Sequence, residues 1–299
     1  MSSAQAQLAP SPRTRSGAGE LIWRVALLSA CLVLVYAHVL MALVRQWWDE
    51  PDYSHGFLVP LCCLWLLWQR RERLEAAETK PSASGLAIII FSFGVLLMGS
   101  LAAELFLQRI SLIGVLLGLV VWLWGWPKAR QAAFALLFLI LMIPLPRLVY
   151  FQVVFPLQMV ATRLATAVLH RINLFPVLRE GNILILPSTR LEVAEACSGL
   201  RSLFSLLTIA ALYAYLGEKK NWKRVVLCLL VVPIAVVGNA GRVVFAAISA
   251  ELAGVSAAEG WAHFASGLFL FLFSTMLLLL CHALINEVER RWKRLRRAR

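Results

Sequence analysis

Residues 225–250 read VVLCLLVVPIAVVGNAGRVVFAAISA, with a single charged side chain, Arg242. An α-helix needs about 20 apolar residues to cross a bilayer, and this stretch exceeds that. Comparable apolar runs lie at about 21–44, 56–68, 85–103, 110–126, 132–149, 199–216 and 264–285. Together they predict eight spans, the short one at 56–68 drawing on Asp52–His55 or on Gln69. Of the 299 residues, 61% are hydrophobic and 15% are charged. A soluble domain is about half apolar and a quarter charged, so an ordinary soluble enzyme is excluded, as is a disordered chain. The first run, from Leu21 to Val44, is too long for a signal-peptide core and has no small-residue cleavage site after it, so it reads as a retained helix.

The net charge of +13 would suit nucleic acid, but its distribution suits a membrane better. With the N-terminus placed in the cytoplasm, twenty of the 29 basic residues fall in inner segments and eight in outer ones. Every inner segment is basic, as the positive-inside rule requires. The remaining cation, Arg242, lies within a span. The charge therefore sets orientation, and nucleic acid is not an expected partner. Residues 1–20, rich in Ser, Ala, Gln and Pro, read as a disordered cytoplasmic tail. Residues 21–285 form the transmembrane domain, and 286–299 form a basic cytoplasmic tail.

One outer segment differs from the others. In residues 147–198, Val149–Arg171 has helical periodicity with few charges and carries Pro156, which suits an interfacial or re-entrant helix. Asn182–Ile185 and Arg190–Val193 are strand-like around Pro187–Ser188, predicting a small hairpin. The expected fold is an all-α polytopic membrane protein of about eight transmembrane helices. An interfacial helix and an outer-side hairpin precede the sixth.

The hairpin leads into Glu195-Ala-Cys-Ser-Gly199. Five of the six cysteines (Cys31, Cys62, Cys63, Cys228 and Cys281) lie in apolar helices and read as small hydrophobes. Cys197 is placed at the outer surface and at a helix N-terminus, where backbone N–H groups favour a thiolate. Arg242 lies roughly 25 Å along the helix that begins near Val225, close to the outer boundary. A cation there either faces a polar interior or snorkels to headgroups. Asn239, one turn earlier, shares its face, and Gly238 and Gly241 permit close approach. His263 opens the last helix on the same side. A nucleophile, a fixed cation and a base that titrates near neutrality thus fall at one depth.

Three segments carry a resemblance: Glu195-Ala-Cys-Ser-Gly-Leu200, Asn239-Ala-Gly-Arg242 and His263-Phe-Ala-Ser-Gly267. In this order they resemble the signature motifs of the exosortase/archaeosortase family, and Tyr53-Ser-His-Gly-Phe57 is similar to an early exosortase segment. The resemblance covers roughly residues 20–285. It implies a membrane-embedded cysteine protease or transpeptidase of the bacterial inner membrane, without cofactor or metal. Its substrates would be exported proteins with a C-terminal Pro-Glu-Pro-type motif, a transmembrane helix and a basic tail. Carried over by position, Cys197 would be the nucleophile, Arg242 its electrostatic partner and His263 the acid/base. His263 places the chain on the exosortase side, since some relatives carry arginine there.

Tyr53, His55, Glu195, Ser198, Arg201 and Asn239 are further candidates for substrate contact. Of these, Glu195 and Ser198 equally suit helix capping, and Arg201 suits holding an outer carboxylate. His38, His170 and His282 read as structural, and Asp49, Glu50 and Asp52 as a solvated turn. A non-catalytic component of polysaccharide or lipid export is the alternative reading. It would need a polar path near mid-bilayer, and the mid-helix positions here are almost wholly apolar. A rhomboid-like serine protease lacks its matching residues, because Phe264 stands where the motif needs glycine.

Overall fold

The computed structural model describes residues 16–192, 200–254 and 261–297. Their helices are α1 (Ser16–Asp49), α2 (Leu58–Gln69), α3 (Arg71–Ala76), α4 (Ser84–Leu101), α5 (Leu105–Trp124), α6 (Trp126–Phe138), α7 (Arg147–Ile172), α8 (Leu200–Gly217), α9 (Asn221–Ala253) and α10 (Trp261–Arg297). Short 3-10 turns occupy Pro51–Phe57 and Leu139–Met142. Between α7 and α8 lie strands β1 (Leu178–Glu180), β2 (Ile183–Ile185) and β3 (Arg190–Glu192). Cys197, Glu195 and Ser198 fall outside the described residues, as does most of the N-terminal tail.

Among the described residues, six helical stretches are long and apolar enough to cross a membrane: Val25–Asp49, Ser84–Leu101, Leu105–Trp124, Leu148–Ile172, Asn221–Ala253 and Ala265–Arg297. Five of them match expected spans. The other expected spans, 56–68, 132–149 and 199–216, appear as the shorter helices α2, α6 and α8. The sixth long helix is α7, expected at the interface. Two physical causes shorten the elements. The chain leaves α6 through a 3-10 turn into Ile143-Pro-Leu-Pro146, where the prolines cannot continue a ladder of N–H bonds. The α2 segment is preceded by the proline-started 3-10 turn at Pro51–Phe57. The molecule is a polytopic α-helical membrane protein whose spans differ in length.

Three cores hold the bundle. The first gathers Tyr36, Leu43 and Trp47 of α1, Val59 and Leu66 of α2, Val115 of α5 and Phe138 of α6. The second joins Leu206 and Ala210 of α8, Leu227 and Val231 of α9 and Leu278 of α10. The third packs Ala165 and Leu169 of α7 and Leu184 and Leu186 of the sheet region on Val243, Ala247 and Ala250 of α9. Helix α8 runs from one end of the bundle to the other. Phe204 meets Tyr53 and His55 at the end that carries the sheet, and the Arg70 and Arg224 guanidiniums lie 4.5 and 5.0 Å from the Tyr215 ring at the opposite, basic end.

The sheet is a three-stranded antiparallel meander, in the order β1-β2-β3. Sequence reading expected two strands and missed β1. The Glu180↔Ile183 pair flanks a two-residue turn, Gly181-Asn182, with Gly181 at φ +64. Glycine at the first position of a tight hairpin supplies that conformation without strain. The β2–β3 turn is tied to α9: the Ser188 hydroxyl and backbone N–H both donate to the Glu251 carboxylate, at 2.7 and 3.2 Å.

At the basic end, buried Lys223 reaches the Glu289 carboxylate at 2.6 Å, and His282 Nε2 donates to Glu218 at 2.6 Å. The Tyr213 hydroxyl meets His282 Nδ1 at 2.6 Å. These pairs join α8, α9 and α10 and confirm His282 as structural. Burial pushes the Glu218 carboxyl up, but the His282 and Asn286 hydrogen bonds and nearby Lys223 hold it below the usual carboxylate range.

Helices α4 and α5 touch backbone to backbone. A Cβ on Gly85 would stand 2.3 Å from the Trp122 nitrogen and 2.6 Å from the Gly118 carbonyl oxygen, neither of which can rotate away. Gly85→Val is expected to destabilise the protein by about 1–3 kcal/mol, the usual range for an overpacked contact. A lowered thermal midpoint in detergent would show it; an unchanged midpoint would mean the two helices separate freely.

Candidate active site

Of the expected site residues, the sheet end holds Tyr53, His55, Arg201, Asn239 and Arg242; Glu195, Cys197 and Ser198 lie outside the described residues. Arg242 sits on α9 and lies against α10 at Gly267: a Cβ there would be 3.4 Å from the guanidinium Nη2. The same face of α9 is close to α10 at two more points. A Cβ on Gly238 would stand 2.6 Å from Ser274 Oγ, and one on Gly241 3.3 Å from Leu270 Cδ2. The Gly238-Asn-Ala-Gly-Arg242 stretch is therefore a helix–helix contact made of small residues, with a cation at its outer edge. Asn239 is buried in it, and its Oδ1 has no hydrogen-bond partner among the described residues.

His263 lies in the first turn of α10, four residues before Gly267. Its backbone therefore lies about one turn, roughly 6 Å, from Gly267 along α10. Helix α8 is described from Leu200, three residues after Cys197. Strand β3 ends at Glu192, five residues before it. The Cys197 segment is thus flanked by two anchored elements, the sheet tied to Glu251 and the start of α8.

The start of α8 is held by the Tyr53-Ser-His-Gly-Phe57 turn. Tyr53 and His55 are buried, and their rings lie 5.9 and 6.2 Å from Phe204, His55 nearly parallel to it. Gly56 is required by Trp47, whose indole nitrogen would be 2.3 Å from a Cβ. That indole N–H donates to the Met142 carbonyl at 2.9 Å, so one contact ties α1, the turn and the α6 exit. Arg201 reaches Asp52 at 3.7 Å, the carboxylate partner that its sequence context suggested. Tyr53 and Arg201 also line a cleft of ≈ 710 Å³ with Tyr150, Gln158 and Asn182. His55 does not line it, and its packing makes it a support for α8.

His55 Nε2 donates to the Leu141 carbonyl at 3.1 Å, leaving Nδ1 buried without a hydrogen-bond partner among the described residues. Burial lowers the His55 pKa, with the Leu141 carbonyl opposing the shift. Burial likewise pushes the Tyr53 hydroxyl up. Cys63 donates to the Ala135 carbonyl at 3.1 Å inside the first core, as its reading as a packing residue requires. Asp49 and Glu50 are exposed and Asp52 is half-buried, as expected of a solvated turn, and all three line clefts.

Sequence reading overlooked Arg109. The expected span at 110–126 leaves it outside, but α5 begins at Leu105, and Arg109 lies on its second turn with only 3% exposure. The signal was Glu104, whose carboxylate accepts from the Leu107 N–H and caps the helix.

Among the described residues, six helices of membrane-crossing length and apolarity define a polytopic α-helical membrane protein. The family model described as transmembrane exosortase matches residues 47–280, and the chain belongs to that family. Comparisons with curated proteins and with solved structures found no match.

The lowered His55 pKa has a pH signature. The neutral ring suits the fold above the unfolded value of 6.5. Below it the unfolded chain gains a proton more readily, and stability falls. Wild type is expected to lose its thermal-stability advantage over His55→Gln as pH drops from 7 towards 5. A constant difference across that interval would refute the buried neutral ring.

Proposed function

We propose that the chain is a cysteine transpeptidase that cuts a C-terminal sorting signal at the outer face of the bacterial inner membrane. What carries the reading is the placement of Arg242 against Gly267 at the α9–α10 contact, four residues along α10 from His263, together with family membership. The basic end faces the cytoplasm, with both termini, in keeping with the positive-inside pattern of the sequence. The sheet end then faces outward. The substrates are exported proteins with a Pro-Glu-Pro-type motif, a transmembrane helix and a basic tail.

In this reading the Cys197 thiolate attacks the scissile carbonyl, and a tetrahedral oxyanion forms. Arg242 stabilises the developing negative charge. The C–N bond breaks, the amine of the tail leaves with a proton from His263, and a thioester remains on Cys197. An acceptor nucleophile then loses its proton to His263 and takes the acyl group, the C–S bond breaks, and the Cys197 thiolate is regenerated. Tyr53 and Arg201 line the cleft beside the α8 start that would admit the substrate's motif. Asn239, Glu195 and Ser198 complete the set of proposed contacts.

Cys197→Ala is expected to abolish processing of a tailed substrate, and mass spectrometry of wild type should find an acyl thioester on Cys197. Processing by the alanine variant would overturn the assignment. Arg242→Lys keeps the charge but misplaces it and is expected to slow turnover by about 10²–10³. Wild-type rates in that variant would remove Arg242 from the reaction. A reporter active only outside the cytoplasm should work when fused after Asp49 and fail after Gln69; the reverse pattern would invert the orientation.

A further inference from the structure

A second cleft at the sheet end, of ≈ 800 Å³, lies between α1, the start of α5 and Pro144–Pro146. Its α1 wall runs from His38 to Glu50 at spacings of three and four residues, a stripe roughly 18 Å long. It shares Gln46, Asp49, Glu50 and Leu145 with the cleft beside Arg201, so the two form one trough. Nothing in the proposed reaction uses it.

Two buried polar atoms in its lining are unsatisfied. Arg109 is 97% buried, being 3% exposed, and its Nε has no hydrogen-bond partner among the described residues. Gln46 Oε1 is also buried and without a partner, its amide nitrogen being engaged by Glu50 at 2.9 Å. A buried donor and a buried acceptor are both costly to leave unpaired, and a ligand of matching chemistry would recover that cost. The charges narrow the ligand. Arg45 and Arg109 stand against Asp49, Glu50 and Glu104, so the lining holds two cations and three carboxylates. A purely anionic ligand is disfavoured by that balance, whereas a zwitterion satisfies both signs. The Gln46 acceptor requires a hydrogen-bond donor, so the cationic half must carry N–H groups, which a quaternary ammonium lacks. Met41, Leu105 and Phe106 add an apolar wall, and Met41 and Leu105 are themselves exposed on the bundle surface.

We propose that this cleft binds a phospholipid with a primary-amine headgroup. The phosphate engages Arg109 and Arg45, the ammonium engages Gln46 and the Asp49 and Glu50 carboxylates, and an acyl chain follows the apolar wall.

The test is lipid retention by the full chain purified in detergent, read by native mass spectrometry with short-chain lipids. Phosphatidylethanolamine is expected to be retained at least about tenfold better than phosphatidylcholine or phosphatidylglycerol of the same chain length. Arg109→Gln should lower its retention about tenfold, and Gln46→Leu should bring ethanolamine and choline lipids level. Equal retention of the three lipids by wild type overturns the proposal without recourse to any variant. So does undiminished retention by an Arg109→Gln protein with wild-type thermal stability. Free phosphoethanolamine should compete only at large excess; competition at parity with the lipid would overturn the apolar half of the site. Cys197→Ala should retain the lipid as wild type does, which separates this result from the fate of the catalytic reading.

Discussion

The close approach of α9 and α10 is the constraint on which the sheet end depends. Two helices carrying ordinary side chains stand 8–10 Å apart. Here Gly238 meets Ser274, Gly241 meets Leu270, and Gly267 meets the Arg242 guanidinium, each on a surface with no Cβ to hold it off. In lipid there is little hydrophobic drive between helices, so packing of small residues and polar contacts must hold such a pair. A cation at the edge of that contact has a short reach and a fixed place. The position of Arg242 follows from the glycines as much as from its own length.

A second anchoring system sets the other side of the site. The indole of Trp47, the missing Cβ of Gly56 and the Met142 carbonyl lock the Pro51–Phe57 turn to α1 and to the α6 exit. On that base, Tyr53 and His55 present flat rings to Phe204, and Asp52 meets Arg201. The early aromatic turn, far from Cys197 in sequence, thus bears on the helix that follows the cysteine by three residues. This explains why such a segment needs tyrosine, histidine and glycine together even though His55 lines neither cleft of the sheet end.

Much of this was legible in the sequence, for physical reasons that differ by element. Long apolar runs such as 225–250 announce themselves because a span must be continuous. Short helices do not: α2 and α6 are cut by local proline and 3-10 geometry that a hydropathy pattern does not weigh. The second and third strands were legible from alternation around Pro187, but β1 was hidden because Leu178-Arg-Glu180 alone is too short, and only the Gly181-Asn182 turn reveals it. Arg242 stood out as a charge in an apolar run. Arg109 did not, because misplacing the α5 start by five residues left a buried guanidinium outside the expected span. The carboxylates at the end of α1 are solvated as the sequence suggests, but sequence does not show the concave surface around them.

Helix α9 has 33 residues and is about 50 Å long, well beyond the roughly 30 Å of hydrocarbon it has to cross. Its surplus length is not idle: Val243, Ala247 and Ala250 carry α7 and the sheet, and Glu251 grips Ser188 near the tip. On the proposed orientation this excess forms a mast fixed to the bilayer at its foot, with the sheet moored near its tip. The height of the sheet above the lipid would then be set by one rigid rod. A substrate anchored by its own helix would be measured against that height, so the spacing between motif and membrane span, as well as the motif itself, would decide which proteins are cut.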